Sequence, residues 1–264
     1  MEYGAMNFPI KPLLREIDEI GEMGFDYVEL TMDPPEATPQ KILSQKKSIQ
    51  DLLNRYQIGI MGHLPTFVWT SDLYESLRRA SLQEIFDALE AAAELGIEKV
   101  VLHPGYITGL GKFILDKAKG YGMDSIEAIL KKAVNLNITL CIENIFPQAH
   151  FLSSPHEFQK VFEAFPELRL TLDIGHANLG VGKNKSSEFI RYYGYRIGHV
   201  HANDNFGKED SHLPIGAGII DFEKILRELK EAQYDDTITL EVFSRDRDYL
   251  KISMEKMKRM WEAL

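Results

Sequence analysis

Nine imidazole and carboxylate side chains recur at one kind of place in this chain: His63, His103, Glu143, Asp173, His176, His201, Asp210, His212 and Glu241. Most of them close a short apolar run. The runs are "IGIMGHL" (58–64), "KVVLHPG" (99–105), "ITLCIEN" (138–144), "LRLTLDIG" (168–175), "IGHVHAN" (197–203) and "TITLEVF" (237–243). His176 follows Asp173 by a single helical-looking step, and "EDSH" supplies Asp210 and His212 from the loop after the seventh run. One polar residue at the end of a strand is ordinarily a satisfied hydrogen-bonding group. Nine together are not explained that way, because carboxylates gathered out of water are costly unless cations compensate them. Every one of the nine is a nitrogen or oxygen donor for a metal, and no thiolate is among them. A divalent ion takes roughly three to six ligands, so this many donors suggests two or three ions. A mixed nitrogen and oxygen set favours Zn²⁺, Mn²⁺, Fe²⁺ or Co²⁺ over Ca²⁺ or Mg²⁺.

Such residues can act together only if the fold brings the run ends to one place. Two further runs, "GAMNF" (4–8) and "DYVELTM" (26–32), complete a set of eight strands. All are short, rich in Val, Ile, Leu or Thr, and bounded by Gly, Pro, Asn or Asp. Between them lie helical patterns such as "KPLLREIDEIGEMG", "LYESLRRASLQEIFDALEAAAELG", "SIEAILKKAVNLN", "SPHEFQKVFEAF", "SSEFIRYYG" and "DFEKILRELKEAQ", and "DYLKISMEKMKRMWEAL" closes the chain. "SPHE" carries a capping-box signature, Ser154 before Pro155 with Glu157 three residues on. Eight strands alternating with eight helices predict an α/β protein, a single (β/α)₈ TIM barrel over residues 1–264 with its metal site at the C-terminal face. An open doubly wound sheet would show a Gly-rich turn after an early strand, and neither G-x-G-x-x-G nor a Walker motif is present.

Composition bounds the rest. The chain has 264 residues, a normal length for one such barrel, and a formal net charge of −10. An acidic surface repels nucleic acid on average, although a metal-lined groove can override this. The single cysteine, Cys141, lies in an apolar run and reads as a small buried residue. With no disulfide possible within the chain, a reducing cytoplasm is the expected compartment. No stretch reads as a membrane span, and "MEYGAMNFPI" lacks the pattern of a signal peptide.

The order of the motifs "LHPG", "IEN", "LDIGHA", "HANDN", "DSHLPIGAGIIDF" and "LEV" resembles the xylose-isomerase-like barrel superfamily, also called AP endonuclease family 2, over nearly the whole chain. The resemblance implies one of two chemistries. The first is isomerisation or epimerisation of a sugar or sugar phosphate by proton transfer beside a metal-bound carbonyl. In that branch Glu143, Asp173, His201 and Glu241 hold one ion, Glu143 and Glu241 are the proton-transfer pair, and His176 contacts substrate. The second is zinc-dependent phosphodiester hydrolysis at abasic DNA, as in endonuclease IV. There all nine residues are ligands and Glu143 bridges two ions. Cofactor expectations are therefore divalent ions (Zn, Mn, Co or Fe), one to three per chain. The preferred partner is a small polyhydroxylated or phosphorylated substrate, with DNA a partner only in the second branch. Two departures favour the isomerase branch. "LPTFVW" after His63 lacks the intercalating Tyr-Leu pair of the nuclease, and "TMDPPEATP" lacks its early-loop arginine. The loop "NFGKEDSH" also departs from many epimerases, which place an arginine there.

Five further residues are substrate-binding candidates. Phe67 and Trp69 could stack on a sugar ring or base, or merely cap the mouth. Glu29 closes the second strand and could bind a substrate hydroxyl or pair with a neighbour. Lys208 and Arg245 could meet a phosphate, although solvated surface charge is the commoner outcome. "PIGAG" reads first as a tight turn, with backbone N–H groups that an anion could approach. His199 reads as a hydrogen-bonding residue one layer below His201, and His150 and His156 as surface or capping residues.

Overall fold

The computed structural model describes residues 1–180 and 182–264. Eight parallel strands, β1 (Glu2–Met6), β2 (Tyr27–Thr31), β3 (Gly59–His63), β4 (Lys99–Leu102), β5 (Thr139–Glu143), β6 (Arg169–Asp173), β7 (Ile197–Ala202) and β8 (Thr237–Leu240), close in sequential order into a barrel. All eight expected strands form; seven are one to three residues shorter than the apolar runs, and β1 begins two residues before its run, at Glu2. β4 stops at Leu102 because Pro104 has no N–H to offer a ladder and Gly105 turns the chain at a φ of +91°.

Alternation along each strand sorts side chains between two environments. In β5, β7 and β8 the outward residues Leu140, Ile142, Val200, Ala202, Ile238 and Leu240 join the main core, which lies between the sheet and the surrounding helices. The inward residues are different. Tyr27, Met61 and Val101 form a small separate apolar cluster, and buried polar residues Glu29, Thr171, His199, His201 and Thr239 accompany them. Cys141 is buried and unpaired, as its run suggested. Gly4 makes room for one of these interior side chains, since a Cβ there would lie 2.1 Å from the Tyr27 ring.

The helices are α1 (Leu13–Glu22), α2 (Pro39–Ser44), α3 (Lys46–Tyr56), α4 (Glu75–Leu95), α5 (Leu115–Asn135), α6 (Pro155–Ala164), α7 (Ser186–Tyr193), α8 (Phe222–Glu231) and α9 (Asp248–Ala263). Among the described residues there are thus nine, not eight, because the β2–β3 connection folds as two short helices that meet at Gln45. α5 also begins ten residues before the start expected at Ser125. Gly120 and Gly122 mask it in the sequence. Gly122 is needed for packing, since a Cβ there would lie 2.6 Å from both Phe151 and the Ser71 hydroxyl. The expected capping box at α6 forms in altered shape. The Glu157 carboxylate accepts from the Ser153 N–H at 2.9 Å and the Ser154 hydroxyl at 3.1 Å, instead of returning to the Ser154 N–H. Among the described residues no helix is long and apolar enough to cross a membrane.

Candidate metal centre

Parallel strands all end on the same side, so their last residues converge on one rim. His63, Glu143 and Asp173 close β3, β5 and β6, His201 is the penultimate residue of β7, and His103 and Glu241 are the first residues after β4 and β8. His176 opens the turn 176–178, and Asp210 and His212 return to the rim from the β7–α8 loop. All nine meet. His103 Nε2 lies 3.1 Å and His63 Nε2 3.6 Å from Glu143 Oε2. His201 Nδ1 lies 3.2 Å from Glu241 Oε1, 3.5 Å from Glu143 Oε2 and 3.8 Å from Asp173 Oδ2. Asp210 Oδ2 sits between His176 Nε2 at 3.2 Å and His212 Nε2 at 3.1 Å.

Four groups among the described residues have donor atoms close enough to surround one ion: at the rim His63, His103 and Glu143; Glu143, Asp173 and His176; and Asp173, His201 and Glu241; and one layer below it Glu29, His199 and His201. Their donor atoms test whether a metal fits. Both oxygens of Glu143, Asp173 Oδ2 and His201 Nδ1 are buried without any hydrogen-bond partner. Orphaned lone pairs of this kind are expensive unless a cation takes them. Imidazole and carboxylate donors with no sulfur suit a borderline divalent ion, so the residues fit the group.

Each histidine is also held from behind. The Nδ1–H groups of His63, His176 and His212 donate to the carbonyls of Leu64 (2.9 Å), Asn144 (3.1 Å) and Glu241 (3.1 Å). His103 Nδ1 hydrogen-bonds the Tyr106 hydroxyl at 3.1 Å. Such contacts orient the rings, leaving Nε2 of His63 and His103 toward Glu143 and Nε2 of His176 and His212 toward Asp210, while His176 Nδ1 also lies 2.9 Å from Glu143 Oε1. Asn144 ties β5 to β6, donating to the Asp173 carbonyl and accepting from the Asp173 N–H, both at 2.9 Å.

Electrostatics follow from the crowding. Burial opposes ionisation of Glu143, yet the facing His103 and His201 hold its carboxyl well below the usual range. Burial beside Glu241 and Glu143 pushes Asp173 up to about 8. Burial disfavours the charged form of His212, but Asp210 and Glu241 outweigh it and raise the ring to about 9. The same contest, won by the surrounding carboxylates, holds His201 well above the imidazole range. Without a metal His201 and His212 therefore keep protons that an incoming cation must displace.

Above the cluster opens a cavity of about 400 Å³, the scale of a small-molecule site. His63, His103, His176, Asp210, His212 and Glu241 form its floor, while Phe8, Phe67, Trp69, Tyr106, Phe146 and Phe243 make most of its walls. Phe67 and Trp69 are exposed aromatics on this wall, at 72% and 44%. The other substrate-binding candidates stand elsewhere. Glu29 does not line the cavity: it is fully buried beneath it, bonded to His199 and His201, so pairing with neighbours is what it does. Lys208 and Arg245 are exposed and outside the lining, because their loops turn those side chains to solvent. The N–H groups of Gly216 and Gly218 in "PIGAG", and of Ile220 just beyond it, are occupied by the Asp204 carboxylate at 2.8, 2.9 and 3.2 Å. His150 lies in a loop, and His156 is exposed at the start of α6 with Nδ1 3.0 Å from the Ser154 hydroxyl. Tyr106, Phe146 and Phe243 were missed by reading the sequence. The available signal was proximity, since they stand two or three residues beyond His103, Glu143 and Glu241.

A closed parallel barrel carrying imidazoles and carboxylates on its C-terminal rim defines a broad class, and comparison narrows it. Residues 17–260 match the xylose isomerase-like TIM barrel family, and the chain belongs to that family. An uncharacterised protein of Methanocaldococcus jannaschii, MJ1311, is 30% identical over 97% of this chain and 92% of its own length. The crystal structure of a D-tagatose 3-epimerase-like protein, 30% identical, superposes with a TM-score of 0.88 over 100% of this chain and 98% of that one. Fructoselysine 3-epimerase of Escherichia coli O157:H7 is 22% identical over 97% of this chain and 95% of the relative.

Proposed function

We propose that this protein is a divalent-metal-dependent epimerase or isomerase of a small polyhydroxylated substrate. The observation that carries this is the pair Glu143 and Glu241, which approach His201 Nδ1 from β5 and from the end of β8 beneath a sugar-sized aromatic cavity. Glu143, Asp173, His201 and Glu241 would hold the ion, with His63, His103, His176, Asp210 and His212 available to it or to a second one. When bound, the metal supplies Lewis-acid polarisation of a carbonyl and its neighbouring hydroxyl, which acidifies the carbon beside them. Glu241, on the cavity floor, and Glu143, below it, are the carboxylates that take the proton from one side of that carbon and return one to the other. Aromatic walls bind the C–H faces of the substrate and exclude water. The 3-epimerase names of two relatives support the same carbon chemistry. The lone buried Cys141 suits a reducing cytoplasm.

Of the two substrate forms, the uncharged sugar is favoured. Among the described residues no lysine or arginine lines the cavity, its only non-ligand charge is Asp33, and the "PIGAG" amides are already taken. With Mn²⁺ or Co²⁺ present, a panel of free ketoses and their phosphates should show higher kcat/KM for the free form. A preference for the phosphates would reverse that choice.

Phosphodiester hydrolysis remains the second reading, because all nine residues come together and the isomerase needs only four. The absence of cationic side chains from the cavity lining opposes it for a phosphate polyanion. Cleavage of an abasic-site duplex by the metal-loaded protein, lost in Glu143→Gln, would establish it.

A further inference from the structure

One layer below the rim lies a buried carboxylate that the proposed reaction does not use. Glu29, at the centre of β2, is 0% exposed inside the barrel. Barrel interiors are usually filled with branched aliphatic side chains, and an ionised carboxylate there is costly unless its lone pairs are occupied. They are. Glu29 meets His199 Nε2 at 3.0 Å, His201 Nε2 at 3.0 Å and the Thr239 hydroxyl. His199 and His201 are two residues apart on β7, so the pleat stacks them on the interior face, with ring centroids 4.9 Å apart.

The bonds around this carboxylate have only one consistent direction. Glu29 accepts, so both Nε2 atoms carry the proton and donate to it. His199 Nδ1 then accepts from the Thr237 hydroxyl at 2.8 Å. Lys99 Nζ, which can only donate, holds that hydroxyl oxygen at 2.9 Å. With Nε2–H committed to Glu29, Nδ1 is the His201 atom left to a cation once its proton is displaced. That atom faces Glu241, Glu143 and Asp173 and has no hydrogen-bond partner. The ring therefore points one nitrogen down into a fixed acceptor and the other up into the candidate centre.

We propose that Glu29, itself held by His199, is the positioning residue that fixes the ring angle and tautomer of His201 so that Nδ1 is presented to the metal ion. This inference rests on reading the rim cluster as a metal centre. Glu29→Gln would turn an amide N–H₂ toward at least one of the three donors around it. Titration of the metal-free protein with Zn²⁺ should then show affinity reduced about 10- to 100-fold, the range seen when the partner of a ligand histidine is lost. The visible spectrum of the Co²⁺-loaded variant should also shift. Unchanged affinity together with an unchanged spectrum overturns the proposal. The wild-type protein provides a test that does not depend on the variant folding. In ¹⁵N-histidine-labelled protein with Zn²⁺, His201 should show a protonated Nε2 and a metal-bound Nδ1, and the opposite assignment overturns the proposal. If the wild-type protein binds no Zn²⁺ or Co²⁺, the metal-centre reading fails, and this inference fails with it.

Discussion

Phe67 and Trp69 show what a residue contributes here that its type alone does not reveal. Both are exposed, normally a penalty for a large aromatic, and both wall the cavity above the imidazole and carboxylate cluster. An aromatic face held in place can bind a sugar's C–H surface without touching the reacting carbon. Such binding is the same in ground and transition states, so its loss appears in KM. Phe67→Ala and Trp69→Ala should each raise KM by about 3- to 15-fold, with kcat within about twofold, corresponding to roughly 0.7–1.5 kcal/mol. Steady-state kinetics on the preferred ketose check this, and a large fall in kcat would place these rings in the chemistry. At this scale the sequence was legible for the residues that meet at the rim and less so for the walls. Residues at strand ends inherit their direction from the strand, so His63, Glu143 and Asp173 could be placed without coordinates. Lys208 and Arg245 sit in loops, where no periodicity sets direction. Glu29 obeys the strand rule and points inward, but its partners belong to β7 and β8, 170, 172 and 210 residues away, and no local pattern reports on them.

At the scale of elements, the barrel depends on where helices start and strands stop. α6 offers a clean test. Glu157 is partly buried, which resists ionisation, but hydrogen bonds from Lys119 at 2.7 Å and the Ser153 N–H at 2.9 Å outweigh that and lower its pKa. A carboxyl with a lowered folded-state pKa stabilises the protein above its unfolded value, about 4.3, and loses that contribution as pH falls through the folded value. Glu157→Gln should therefore cost about 0.5 kcal/mol at pH 7, a size set by solvent screening of a partly exposed pair. The difference should shrink toward zero as the pH drops below about 4. Urea unfolding of both proteins across this range would detect it. A cost independent of pH would mean that Glu157 acts through its shape and not its charge. Helix starts were the least legible elements. Gly120 and Gly122 lower helix propensity locally, whereas the close approach of Phe151 demands the glycine and tertiary packing carries α5 through.

The whole molecule divides its labour between two surfaces of one sheet. Outward faces bury aliphatic side chains against helices and hold the barrel closed, which is why eight short apolar runs were enough to read the topology. The inward face holds a polar column that ends in the ring of imidazoles and carboxylates. A sequence announces the first surface through periodicity and the second only where several run ends carry the same kind of residue. That ring is proposed as a metal centre for proton transfer at carbon. Its most direct test is ¹H NMR of a ketose incubated in D₂O with the Mn²⁺-, Co²⁺- or Zn²⁺-loaded protein, read before and after chelation and in Glu241→Gln. Deuterium should enter at the carbon beside the carbonyl, and the epimer should appear. Both should be abolished by the chelator and reduced at least about 100-fold in the variant. Exchange that survives chelation, or cleavage of a phosphodiester with no exchange at carbon in any ketose, would contradict it.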